Sequence, residues 1–157
     1  MNHLGAPGAG RAAGTAVALA LLAGCSQPHP NLEDLKGTPG ASTAYPGAVV
    51  YQRGANHAQN QVDGPTPASI TFYACTHDPA TIVQAWFDKA LTSKGWQPDP
   101  QGHQDRPGAF QGGKSWKRGN ARFDLNFATP ATTAALAKKA NQLSGCPTGY
   151  QTLAQIG

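Results

Sequence analysis

His57, His77 and His103 are the residues best suited to holding a metal ion, since a neutral imidazole is the commonest protein ligand. No two of them stand at helical i, i+4 spacing, and none belongs to a ligand motif of the zinc type. Each falls in a segment that reads as a loop or a strand end, where a solvated histidine is ordinary, so no metal and no cofactor are expected. His77-Asp78, taken with Ser69 or Ser115, contains the residue types of an acyl hydrolase. The sequence has no Gly-x-Ser-x-Gly elbow to expose a nucleophile, and Asp78 stands just before Pro79, where it reads as a helix cap. No catalytic residue is assigned.

Arg106, Lys114, Lys117, Arg118 and Arg122 form a basic stretch with Trp116 among them. Such a stretch suits contact with anionic lipid head groups or an acidic wall polymer. The plainer reading is solvation of an exposed strand, where lysine also discourages edge pairing. Trp86, Phe87 and Trp96 have the bulk to line a ligand pocket, but at helical spacing they fit the apolar face of a helix. The chain of 157 residues carries a formal net charge of +4 with only 13% charged residues. That is too mild a basic balance to argue for nucleic acid, where binding rests on many phosphate contacts. There are three cysteines, Cys25, Cys75 and Cys146, and no Cys-x-x-Cys.

The N-terminal stretch carries the strongest local signal. Arg11 precedes an uncharged apolar run, Ala12 to Leu22. The run is shorter than the roughly 20 residues of a membrane span and fits the apolar region of a secretory signal. Leu22-Ala23-Gly24-Cys25 then resembles the lipobox of bacterial lipoproteins at all four positions. That resemblance implies cleavage before Cys25, acylation of its thiol with a palmitate-type lipid, and a domain held on a membrane outside the cytoplasm. Two acyl chains satisfy the requirement for stable anchoring.

With Cys25 committed to lipid, Cys75 and Cys146 remain. An exported chain lies where disulfides persist, so these two are expected to pair, the alternative being two buried free thiols. The resulting organisation is a signal peptide over 1–24, a lipidated cysteine and flexible Pro/Gly tether over 25–46, a domain over 47–146 and a C-terminal tail over 147–157.

Within the domain, Ala48–Tyr51 and Ser69–Cys75 read as strands. Asp78 and Pro79 open a helix whose Ile82, Val83, Trp86, Phe87, Ala90 and Leu91 make an apolar stripe. Gly95 ends it, with Trp96 placed for a Schellman contact. After a polar loop, Lys114–Arg118 and Ala121–Ala128 read as a hairpin about Gly119-Asn120, with Trp116 opposite Phe123. Ala121, Phe123, Leu125 and Phe127 form its core face; Arg122, Asp124 and Asn126 point the other way. Thr129-Pro130 opens a second helix with Leu136, Ala140 and Leu143 on one side, ended by Gly145. The order strand, strand, helix, hairpin, helix predicts an α+β fold, a mostly antiparallel sheet with one or two helices packed on one face. The run from Tyr73 to Trp96 also resembles a pattern in small exported bacterial domains of unassigned function, and it carries no site residues with it.

The functional expectation is a membrane-anchored envelope lipoprotein with a non-catalytic binding or structural domain. Its partners would be the membrane itself and an envelope protein or anionic wall or lipid component. A small envelope hydrolase is one alternative. A carrier holding a small or lipidic ligand between helix and sheet is another.

Overall fold

The computed structural model describes residues 30–61, 64–102, 108–139 and 146–157. The signal and lipobox (Arg11 and Leu22 to Cys25), His103, Arg106 and the segment holding Ala140, Leu143 and Gly145 lie outside the described residues. The chain is α+β: a mostly antiparallel sheet of six strands with three helices. In chain order these are α1 (Leu32–Gly37), β1 (Val49–Asn56), β2 (Gln59–Gln61), β3 (Gly64–Thr66), β4 (Ala68–Thr76), α2 (Ala80–Thr92), β5 (Gln97–Pro98), β6 (Phe110–Arg118), β7 (Ala121–Ala128), α3 (Pro130–Lys139) and β8 (Thr148–Ile156). The sheet order is β1-β4-β8-β7-β6-β5, and β2 and β3 form a separate small ribbon.

The alternation of side chains along each strand sorts the sheet into two faces. One face carries Ile70, Phe72 and Ala74 of β4, Tyr150, Ala154 and Ile156 of β8, and Phe123 and Leu125 of β7, all in one buried core. Helix α2 lies on it through Val83, Phe87 and Leu91, each fully buried and one turn apart. Burying a side chain of this size is worth about 1.5–3 kcal/mol, so these three positions anchor the helix. The Phe87 ring stands 5.7 Å from Phe123 and 6.0 Å from Tyr150. The helix ends as its sequence dictates: Gly95 adopts φ +83°, and the N–H groups of Gly95 and Trp96 bond the carbonyls of Thr92 and Leu91, the Schellman pair.

Hairpin β6–β7 pairs Trp116 with Phe123 and Arg118 with Ala121, and Gly119 turns with φ +59°. The register of β6 shifts between Gln111 and Gly113, a bulge at Gly112 (φ +61°); Gly113 follows at φ +137°, and a side chain there would run into the backbone carbonyl of Leu125.

Five expectations need correction. The 147–157 segment is no tail: Thr148–Ile156 is β8, hydrogen-bonded to β4 on one side and β7 on the other. Its Gly, Thr, Ala and Gln residues give a weak apolar signal, and its burial comes from two flanking strands.

The 25–46 tether is no tether from Pro30 onward. Asn31 caps α1 with a full capping box. Leu32 and Leu35, together with Ala41 and Tyr45, enter the main core. Prolines prevented long regular structure here without preventing docking.

The two faces are both used by helices. α1 and α2 share the apolar face, whereas α3 lies on the opposite one, where Thr133 Oγ1 and Leu136 Cδ1 approach the Cα of Gly149 closely enough to meet any added Cβ at 3.0 and 3.3 Å.

Finally, Asp78 does not cap α2. Pro79 is the N-cap and offers no side-chain bond, while the Asp78 carboxylate accepts the Tyr45 hydroxyl at 2.6 Å. Ile82, placed on the apolar stripe by its spacing, is 52% exposed.

Candidate functional site

Cys75 and Cys146 are bonded, with Cα atoms 5.6 Å apart and a separation of 71 positions in sequence. Cys75 ends β4 on the α3 side of the sheet, opposite Gly149 of β8. The bridge therefore delivers the chain from α3 into the central strand. Thr129 caps α3 by accepting the Thr132 N–H on its hydroxyl at 3.3 Å, which fixes where that helix starts.

The remaining chemistry-bearing residues separate. Ser69 lies near the start of β4 and His77 just past its end, so about 26 Å of strand stands between them at roughly 3.3 Å per residue. Ser69 accepts a long bond, 3.5 Å, from Asn56, and His77 is exposed. Ser115 is fully buried and gives its hydroxyl proton to Asp124. Neither Ser69 nor Ser115 is thus set beside His77 in a nucleophile–base pair. His57 follows β1, at the other end of the molecule from His77. Among the described residues no three His, Cys, Asp or Glu side chains are grouped to hold a metal.

The basic stretch divides between the two faces. Lys114 pairs with Asp88 of α2 at 2.6 Å, and the same carboxylate oxygen accepts the Trp116 indole N–H at 3.1 Å. Arg122, on the opposite face, pairs with Asp124 at 2.8 Å and also bonds the Gly102 carbonyl. Asp124 is 5% exposed, so the Ser115–Asp124–Arg122 knot fixes the loop after β5 to the sheet. The alternation Arg-x-Asp-x-Asn on the non-core face of β7 was the sequence signal for it, but nothing in the sequence joined Asp124 to Ser115. Lys117 and Arg118 remain at the tip of the hairpin, Lys117 exposed and Arg118 against the Pro39 carbonyl at 3.4 Å.

Trp86, Phe87 and Trp96 are packing residues. Phe87 and Trp96 are buried, Trp86 partly so. Trp86 meets Tyr45 and Phe87 edge-on at 5.4 and 5.1 Å, and Trp96 stands 6.0 Å from Phe123. Phe87 and Trp96 pack between α2 and the sheet, and Trp86 also lines an open groove of about 410 Å3 between the N-terminal arm and α2, with Thr43 and Lys94.

The surface that sequence reasoning missed is at the end of the sheet where the described chain begins. A groove of about 440 Å3 runs between Pro30, Ala58, the β2–β3 ribbon (Asn60 and Pro65), Pro67 and Ile156, and among the described residues none that lines it carries a charged side chain. Ile156 also borders a second, shallower groove with Ala121, Asn120, Gly119 and Arg118. Chain entry, uncharged groove and basic hairpin tip therefore share one pole. Detecting this requires the β8–β7 pairing, which the sequence does not reveal.

Comparison with family models, with curated proteins and with solved structures returned no match.

Proposed function

We propose that this chain is an exported bacterial lipoprotein, anchored to a membrane through a lipid on Cys25, with its folded domain acting as a non-catalytic binding or structural module. The observation that carries the reading is the Cys75–Cys146 bridge. It uses two of the three cysteines and leaves Cys25 alone, in the position that resembles a lipobox. A bridge of this kind also suits an oxidising compartment outside the cytoplasm. The binding or structural reading draws on how the polar groups are engaged. Asp124 is bound by Ser115 and Arg122, Asp88 by Lys114 and Trp116, and Asp78 by Tyr45. Carboxylates engaged in this way hold elements together and do not stand open to a substrate.

The test is metabolic labelling of the full-length protein with radioactive palmitate. Label is expected on the wild-type chain in the membrane fraction and is expected to be lost in Cys25→Ser. An unlabelled wild-type product, soluble inside the cell with its amino terminus intact and its Cys75 reduced, overturns the reading.

A further inference from the structure

From the place where the described chain begins we infer which pole of the domain meets the membrane: the one formed by the β2–β3 ribbon, Pro67, Ile156 and the β6–β7 tip, laid on a bilayer surface with Lys117 and Arg118 over anionic head groups. This inference rests on the lipid-anchor reading of Cys25 and adds an orientation to it.

The first argument is length. The N-terminal arm is docked from Asn31 onward, where the capping box and the buried Leu32 and Leu35 fix it. Only Ser26 to His29 stand between Cys25 and Pro30. Five chain steps reach at most about 18 Å when fully extended. A folded unit of this size has a radius of gyration of roughly 14 Å, hence a diameter near 35 Å. The leash is about half the width of what it holds. The pole bearing Pro30 therefore stays close to the surface that holds Cys25, and the opposite pole, with His77 and the Cys75–Cys146 bridge, faces away.

The second argument is the chemistry of that pole. Beside Pro30 the groove offers Ala58, Asn60, Pro65, Pro67 and Ile156, with no charged side chain among its described residues to desolvate on contact. Next to it, joined through Ile156 and Ala121, sits the hairpin tip with Lys117 and Arg118; Glu33 and Asp34 of α1 line the same groove as Arg118, Glu33 paired with Lys36 and Asp34 accepting the Asn31 N–H. Arg122, directly across from Lys117, and Lys114, further up β6, have their charges paired with Asp124 and Asp88. A patch whose described lining has no charged side chain, with the exposed Lys117 and the Arg118 guanidinium beside it, suits an interface of glycerol, acyl ester and phosphate, where cations near an anionic surface are favoured. The contact is individually weak, and the anchor makes it effectively intramolecular.

The experiment uses the full-length protein, purified with its lipid from the membrane fraction and reconstituted into phosphatidylcholine vesicles with or without phosphatidylglycerol. A fluorophore is placed on Asn60→Cys or on His77→Cys, both exposed positions, and quenched by lipids carrying a nitroxide at the head group. Quenching is expected to be several-fold stronger at position 60 than at 77. The difference is expected to grow with phosphatidylglycerol and to shrink in the K117E/R118E variant. Protein that floats with the vesicles but quenches equally at both positions, or more at 77, overturns the orientation and leaves the anchor standing. Wild-type protein that fails to float with vesicles, while the refolded domain retains its disulfide, overturns anchor and orientation together.

Discussion

Trp96 donates its indole N–H to the carbonyl oxygen of Pro39 at 2.6 Å, and so fastens the N-terminal arm to the end of α2. The same carbonyl lies 3.4 Å from Arg118 of the hairpin. Three segments distant in sequence meet at one backbone oxygen, with the indole 1% exposed and packed on Phe123. Trp96→Phe keeps an aromatic ring there and removes the donor. The expected loss is about 1–2 kcal/mol, the range for removing a partner from a buried hydrogen bond. Hydrogen exchange is the sharper readout. The Ala41 and Thr43 amides, which close turns onto Thr38 and Gly40, are expected to exchange faster in the variant. Unchanged protection at both would mean the arm is held by its buried side chains and the Tyr45–Asp78 bond without the indole.

How much of this was legible follows the strength of the local signal. The hairpin register and the end of α2 are written in short-range chemistry, Gly119-Asn120 between alternating strands and Gly95 followed by Trp96. Leu32 and Leu35 were equally visible as residues. Their docking depends on a core assembled from β4, β7 and β8, and a segment rich in proline and glycine gives no periodicity by which to read it. β8 fails for a different reason. Thr152 and Ala154 are buried because strands flank them on both sides, a property of the sheet order that no window of sequence contains. The candidate pole inherits that difficulty, since Pro30, Pro67 and Arg118 become neighbours only through Ile156 of β8.

The Cys75–Cys146 bridge closes a long loop and enters the central strand, so its loss should be felt globally. In the chain-entropy model a loop of this length contributes about 4 kcal/mol. Cys75→Ala with Cys146→Ala is expected to lower the urea midpoint by a corresponding amount. Single variants are expected to do the same and to leave one thiol titratable after unfolding. A double variant as stable as the wild type would show that the α3 contacts at Gly149, Thr133 and Leu136 suffice to hold β8.

Asp124 is buried and accepts from both Ser115 and Arg122. Asp124→Ala would strand a fully buried hydroxyl and remove the counter-charge of Arg122. The expected cost is about 2–4 kcal/mol, most of it from buried polar groups left unpaired. Arg122→Gln, whose side chain is 37% exposed, is expected to cost less, since solvent screens the pair on that side. The ordering of the two variants in chemical denaturation, Asp124 worse than Arg122, checks the account; the reverse order contradicts it.

Gly113 sits in the left-handed half of backbone space beside the β6 bulge, and an added Cβ meets the Leu125 carbonyl carbon at 2.9 Å. Backbone cannot step aside as a flexible side chain can. Gly113→Ala is expected to lose about 2 kcal/mol or more, with exchange protection falling first in β6 and β7. Gly54, which has open space around its Cβ position, provides the control: Gly54→Ala is expected to be near neutral.

Tyr51 and Tyr150 give the fold an alkaline limit. Burial raises both phenols well above their ordinary value; the neighbouring Tyr73 adds to the shift at Tyr51, and the Tyr45 backbone partly offsets it at Tyr150. The Tyr51 hydroxyl is enclosed without a hydrogen-bond partner among the described residues. A raised phenol holds its proton more tightly in the folded chain than in the unfolded one. Stability is therefore fully present below about pH 10, where both states are protonated. It falls as pH rises past that point, because the unfolded chain ionises first. The fully buried Tyr150 contributes a slope of up to about 1.4 kcal/mol per pH unit. Tyr150→Phe and Tyr51→Phe are each expected to flatten the alkaline limb of the urea midpoint against pH. At neutral pH Tyr51→Phe is expected to cost little, since the hydroxyl it removes has no partner to lose. An alkaline limb of unchanged steepness in both variants would assign the loss of stability to other groups.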